Sequence, residues 1–251
     1  MGTLIAGVDG CPIGWVVALA PPDDISAPII RIVPKLEAVL DGPQPPAIVA
    51  VDMPIGLPDR IEGPGRAPER LVRPLLGKRQ SSVFSIPARS AVYAADYPAA
   101  CLEAAASSDP SRKISKQGFM IFPKIREIDQ LLRRRPALAS MVFESHPEVA
   151  FMAINGGKPL DEPKKVKGRP WPFGMALRKR LLASAGIGAD ALETPPPRGA
   201  AIDDVLDALV CLVTAQSIAR GKAQSWPAPP QRDAHNIPIA IWAPITQSSQ
   251  T

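Results

Sequence analysis

The chain has 251 residues, 46% of them hydrophobic, with a formal charge of +5 at neutral pH, enough apolar material for a substantial core and too much for a wholly disordered protein. The mild positive charge favours approach to anions such as nucleic acid or phosphorylated metabolites without selecting one. Three widely spaced cysteines, Cys11, Cys101 and Cys211, suggest neither a disulfide framework nor a thiolate zinc site, so a reducing, cytoplasmic setting is expected.

Thr3 to Val8 is a β-rich apolar run that ends at Asp9-Gly10, and Gly14 to Ala20 resumes it after a short loop, which predicts a hairpin. Asp9 interrupts this apolar start and no basic leader precedes it, so it does not read as a signal peptide. A third strand over Ile29 to Val33, a short helix near Lys35 to Leu40 and a buried strand over Ala47 to Val51 follow. The texture then changes to Arg- and Pro-punctuated helical segments at Ala67 to Leu76, Pro98 to Ala106 and Ser115 to Arg134, which predicts a helical insertion over about 57–139. Met141 to Phe143 re-enters the sheet, and a helix from Pro147 to about Ile154 begins with Pro in its favoured first turn. Trp171 to Ala185 is helical and basic, and Asp203 to Arg220 is a strong helix closed by Gly221. Its apolar part, Val205 to Ala219, carries Asp207 and is too short to cross a bilayer comfortably, so no membrane partner is expected. Ile237 to Trp242 reads as a last short strand in a Pro-rich tail. The expected fold class is α/β, with residues 1–251 forming one globular domain.

Three of the predicted strands run directly into an acid: Leu4 to Val8 into Asp9, Ile48 to Val51 into Asp52, and Met141 to Phe143 into Glu144. A carboxylate at the end of a buried strand loses hydration, at a cost of several kcal/mol unless a cation, hydrogen bonds or a metal compensates. The carboxyl ends of strands form the crevice where open α/β sheets usually bind ligands, so three acids there can share one site. Each alone also fits an ordinary turn or strand end. The helix beginning Asp203-Asp204-Val205-Leu206-Asp207 adds a fourth element, because Asp207 shares a face with Asp203 or Asp204. An N-cap at Asp203 with acids in the first turn would explain Asp203 and Asp204, but not Asp207 among Val, Leu, Ala and Cys.

Hard Mg²⁺ or Mn²⁺ ions prefer all-oxygen ligands, whereas zinc usually draws on His and Cys. With only His146 and His235 in the chain, carboxylate-bound Mg²⁺ or Mn²⁺ fits better than zinc. Two such ions about 3.5–4 Å apart would activate water and stabilise the leaving oxygen of a phosphodiester.

The blocks Gly7-Val8-Asp9-Gly10-Cys11-Pro12, Val51-Asp52-Met53-Pro54-Ile55-Gly56 and Glu144-Ser145-His146-Pro147-Glu148 resemble a domain-of-unknown-function family regarded as predicted RNase H-like nucleases. Gly77 to Phe84, Ser115 to Phe119 and Pro123 to Asp129 extend the resemblance over roughly residues 5–220. It implies an RNase H-like mixed five-stranded sheet flanked by helices, with a helical insertion. It also implies metal ligands on the first strand, the fourth strand and a late helix. By position these fall on Asp9, Asp52, and Asp204 and Asp207; Glu144 is added as a further ligand from the strand-ending pattern rather than from the resemblance.

His146 and Glu148 lie beside Glu144, so His146 could orient water or shuttle a proton, or it could simply help to cap the following helix. Lys78, Arg79, Ser81 and Ser82 could grip phosphate, as could Lys124 in its own resembling block; a solvated loop is the bland alternative for the first four. The basic run Lys164 to Arg169 suits either a nucleic-acid backbone contact or plain solvation. The expected function is metal-dependent cleavage of DNA or RNA. Its rivals are a nucleotide-dependent phosphotransferase of the actin-like or sugar-kinase type, in which Asp9-Gly10 and Gly14 meet phosphate, and a non-catalytic nucleic-acid-binding module.

Overall fold

A computed structural model describes residues 3–246. Its centre is a seven-stranded mixed sheet built from β1 (Leu4–Cys11), β2 (Gly14–Ala20), β3 (Ile29–Val33), β4 (Pro46–Val51), β5 (Val142–Ser145), β6 (Ala223–Arg232) and β7 (Pro238–Pro244). The strand order across the sheet is β6-β7-β5-β4-β1-β2-β3. β1, β2 and β3 form an antiparallel meander, β4 lies parallel to β1, β5 parallel to β4, and β7 parallel to β5. Helices cover both faces, so the central strands are buried on both sides and read as nearly continuous apolar runs.

The helices are α1 (Glu37–Leu40), α2 (Ala67–Val72), α3 (Arg89–Val92), α4 (Tyr97–Ala106), α5 (Lys116–Met120), α6 (Phe122–Arg134), α7 (Pro147–Ile154), α8 (Pro172–Ser184), α9 (Ala189–Glu193) and α10 (Ile202–Ala219). Side chains alternate across a strand, and the core divides accordingly. Ile5, Cys11 and Ala50 share an apolar layer with residues of α7, α8 and α10 such as Val149, Leu182 and Leu206. Ala6, Val8, Val49 and Val51 share the opposite layer with residues of α4 and α6 such as Ala100, Ile125 and Ile128.

The contact that positions the site is α10 against β1. A Cβ at Gly7 would sit 2.0 Å from the Leu212 nitrogen and 2.1 Å from the Ala208 carbonyl oxygen, so only glycine lets the helix backbone descend onto the strand there. Thirteen of the eighteen α10 residues are buried, Asp207 among them. A helix this enclosed is held by packing rather than by an amphipathic stripe, and its side chains are correspondingly fixed.

The sheet holds more strands than the five expected. β7 occupies the predicted tail strand, shifted slightly, and β6 joins it antiparallel at the sheet edge. β6 was hidden by Pro227, Pro229 and Pro230, which would disrupt a central strand but are tolerated at an edge, where the pairing slips between Trp226 and Gln231. The expected helix over Ser115 to Arg134 is two helices meeting at Ile121, with Pro123 in the first turn of the second. The segment expected to be helical over Ala67 to Leu76 is α-helical only to Val72. It continues as 3₁₀ turns from Arg73 to Ser82 that kink at Gly77.

Candidate metal centre

The register of the parallel strands decides which acids meet. Val8 on β1 pairs with Val51 on β4, and the Asp52 backbone N–H donates to the Val8 carbonyl at 2.8 Å, so Asp9 and Asp52 project side by side at the carboxyl ends of adjacent strands. Both point to the α10 face, as Gly7 does two residues before Asp9. Asp207, one turn beyond Asp203 on α10, reaches the same place from above. One carboxylate oxygen from each of Asp9, Asp52 and Asp207 lies within 4.8 Å of the other two.

That limit is about twice the metal–oxygen distance of about 2.0–2.6 Å for Mg²⁺ and Ca²⁺, so the three oxygens are near enough to share a single hard cation. The donors are carboxylates, with no thiolate or imidazole among the three. Asp207 is 1% exposed and its Oδ1 has no hydrogen-bond partner, which is the condition a cation would relieve. Burial, followed by repulsion from Asp52 and Asp207, holds the Asp9 carboxyl well above the usual carboxylate range. Burial and Asp207 push Asp52 up to about 8. Burial raises Asp207 too, against the opposing pull of Lys164. Gly10 N–H donates to Asp9 Oδ1 at 2.6 Å.

Glu144 is not brought into this group. It pairs in register with Val51, one residue short of the level of Asp52, and alternation therefore turns it to the other face of the sheet. There Arg66 grips both of its oxygens, at 2.7 and 3.1 Å, and the Ile55 N–H donates at 2.7 Å. Glu69 binds the same guanidinium at 2.6 Å, so the three form a buried ionic network. Burial pushes the Glu144 carboxyl up to about 7, with Arg66 opposing it.

Asp204 also stands apart. It is half-buried, and its Oδ2 accepts the Ala201 N–H at 2.9 Å, tying down the start of α10. The N-cap is Ala201, not Asp203. Asp203 is instead buried and ion-paired to Lys165 at 2.6 Å, while Lys164 bonds Asp207 and lies 3.9 Å from Asp203. Two lysines of the basic run are thus paired with carboxylates, Lys164 half-buried and Lys165 exposed, while Lys167 and Arg169 are also exposed.

A cavity of about 390 Å³ opens over these strand ends, and Asp9, Asp52, Glu144, His146, Glu148, Lys124 and Lys164 line it. Met53, Val83, Phe84, Ile86 and Met120 give it an apolar wall. The His146 carbonyl accepts the Val149 and Ala150 N–H groups at the start of α7, its side chain makes no capping bond, and the residue lines the cavity. His146 Nδ1 is buried without a partner, Nε2 lies 3.4 Å from the Ser82 carbonyl oxygen, and burial lowers the ring's pKa. Lys124 reaches the cavity edge with Nζ 2.5 Å from the Gly14 carbonyl oxygen and 4.3 Å from the Trp15 ring centre. Of the expected phosphate loop, Ser82 lines the cavity, with its Oγ donating to the Arg79 carbonyl. Lys78 and Ser81 are exposed and Arg79 half-buried, and none of the three belongs to the lining.

Lys164, Asp203, Arg66 and Glu148 escaped the choice of site residues made from sequence. Glu148 is buried against Arg178, and its Oε2 is unpartnered. For Glu148 and Asp203 a signal existed, since each neighbours a residue already selected. For Arg66 none did, because its partner Glu144 lies 78 positions away.

The molecule is therefore an α/β protein with a carboxylate cluster at the carboxyl edge of a mixed sheet. Residues 7–232 match the family model described as a protein of unknown function (DUF429), and the chain belongs to that family. No curated protein and no solved structure matches it. Among the described residues, no helix is long and apolar enough to cross a membrane. Cys11, Cys101 and Cys211 are all free and buried.

Proposed function

We propose that this protein is a divalent-metal-dependent phosphodiesterase of RNase H-like type that cleaves DNA or RNA. The observation that carries the proposal is the convergence of Asp9, Asp52 and Asp207, from three separate elements, with a buried Asp207 oxygen left unpartnered. Their origins support it: first strand, end of the fourth strand and a late helix are the places the RNase H-like resemblance implies. The central sheet is mixed and flanked by helices, and an RNase H-like scaffold would use its strands β1 to β5.

Mg²⁺ or Mn²⁺ held by these acids would supply Lewis-acid polarisation and water activation for phosphodiester hydrolysis. The chain's own groups supply the rest. Lys124 and Lys164 bring positive charge to the cavity where a phosphate would enter. His146, kept neutral by burial, offers an unpartnered ring nitrogen that can accept a proton. The apolar wall around Phe84 and Ile86 suits the face of a base or sugar.

The phosphotransferase alternative has less support. A Cβ at Gly14, where φ is +149°, would lie 2.1 Å from the Val33 carbonyl oxygen, and one at Gly10 would meet the Lys124 side chain at 2.8 Å. Gly14 thus closes on the chain's own backbone rather than on an open phosphate site, whereas Gly10 lines the cavity beside the flexible Lys124 side chain. The test is incubation with single-stranded, hybrid and branched substrates in Mg²⁺ or Mn²⁺, with Asp9→Asn as control. Cleavage lost in the variant is expected; intact substrates with both ions would overturn the proposal.

A further inference from the structure

We infer that Lys164 is a resident positive charge of the carboxylate cluster, and that the centre consequently takes one divalent ion per chain rather than the two of a symmetric metal pair. The inference deepens the metal-dependent reading above and rests on it.

Lys164 is built into the site rather than draped over it. The backbone on either side of it is pinned. A Cβ at Gly174 would lie 1.9 Å from the Pro163 carbonyl oxygen, so α8 packs directly on the residue before Lys164. The Lys164 carbonyl accepts the Trp171 N–H at 2.9 Å, across the small hairpin formed by Lys165–Val166 and Arg169–Pro170. Lys167 and Gly168, with φ of 50° and 75°, close that hairpin in the left-handed conformation that suits a two-residue turn. Glu162, two residues before Lys164, accepts the Trp171 indole N–H at 2.7 Å, and its carbonyl accepts from Arg178. From this fixed base the Lys164 ammonium bonds Asp207 Oδ2 and lines the cavity beside Asp9 and Asp52.

Charge then limits the metal. Asp9, Asp52 and Asp207 bring three negative charges, Lys164 supplies one positive, and a single divalent ion supplies the remaining two. A second divalent ion would leave these four closely spaced groups with an excess of two positive charges, whose mutual repulsion opposes its binding. The neighbouring acids are already engaged: Asp204 holds the Ala201 N–H, Glu69 shares Arg66 with Glu144, and the others hold cations of the chain. Asp203 is matched by Lys165, Glu148 by Arg178, and both Glu144 oxygens are already bonded to Arg66. An ammonium beside a divalent ion also repels it, so the lysine weakens the first ion while excluding the second.

The experiment is titration of the metal-stripped protein with Mn²⁺, counting bound ions by electron paramagnetic resonance and measuring affinity by calorimetry, for wild type, Lys164→Met and Lys164→Arg. Thermal melts establish that each variant is folded, and Lys164→Gln replaces the Met variant if that one is not. Wild type is expected to bind one Mn²⁺. Lys164→Arg should match it in count and affinity, and Lys164→Met should bind its first Mn²⁺ at least about tenfold more tightly. Two ions bound by the wild type, or no tightening in the neutral variant, would overturn the inference while leaving the metal centre standing. No Mn²⁺ binding by any of the three proteins would sink the metal-dependent reading itself.

Discussion

The two faces of the sheet carry buried carboxylates at the same edge and treat them in opposite ways. On the α6 face, Glu144 and Glu69 share the Arg66 guanidinium, and every Glu144 oxygen is bonded. On the α10 face, Asp9, Asp52 and Asp207 crowd together with Lys164 as the cation bonded within the group, and one Asp207 oxygen has no partner. The first arrangement is satisfied by the chain alone, and the second is not. Because side chains alternate along a strand, one residue of register separates them: Glu144 stands level with Val51, and Asp52 one step beyond.

The contrast is tested most severely by activity. Asp9→Asn should lower phosphodiester cleavage by more than about a hundredfold, exceeding the usual effect of removing a group that only supports a metal ligand, with an unchanged circular dichroism spectrum. A protein that keeps full turnover would place the chemistry elsewhere. On the opposite face the loss should appear in stability instead. Arg66→Met strands two buried acids and should cost about 3–5 kcal/mol in urea unfolding. A smaller cost would show that Glu144 finds other partners.

Gly7→Ala probes the contact that brings Asp207 to the other two acids. The added methyl meets backbone atoms near 2 Å, so a loss of about 1–3 kcal/mol or more is expected, together with weaker Mn²⁺ binding as α10 shifts. Equal metal affinity in a destabilised variant would separate the packing from the site.

The smallest effect is a pH dependence. Asp52 is raised to about 8 in the folded chain from an ordinary value near 4, so the native state retains a proton that the unfolded chain releases. Its contribution to stability is therefore fully present below about pH 4 and is lost as pH rises through about 8. In chelator the melting temperature should fall across that window by more for wild type than for Asp52→Asn. Added Mn²⁺ should flatten the wild-type curve at its upper end. Parallel curves for the two chelated proteins would argue against repulsion within the cluster.

Most of the sheet is legible in the sequence, because alternating and continuous apolar runs bounded by Gly and Pro mark strands directly. Asp9, Asp52 and Asp207 were legible for the same reason, each being a charge in a run that should be apolar. Glu144 shared that signature, and its placement beside a different partner depends on a pairing register that local pattern does not encode. Asp204 resembled a ligand because helical spacing permits either acid of the pair to face inward, and capping of the Ala201 N–H took the half-buried one. Lys164 lay in a charge run that fits solvent, nucleic acid or an ion pair equally well. The packing of Pro163 against Gly174 and the bond from the Trp171 N–H to the Lys164 carbonyl set the backbone that brings it to Asp207. β6 was obscured by prolines whose tolerance at a sheet edge follows from topology rather than propensity.

The most direct trial of the central claim is anomalous diffraction from crystals soaked in Mn²⁺. The account requires a peak bonded to oxygens of Asp9, Asp52 and Asp207, with Glu144 still on Arg66. A peak on Glu144, or full soaking that leaves the three aspartates without one, would contradict it.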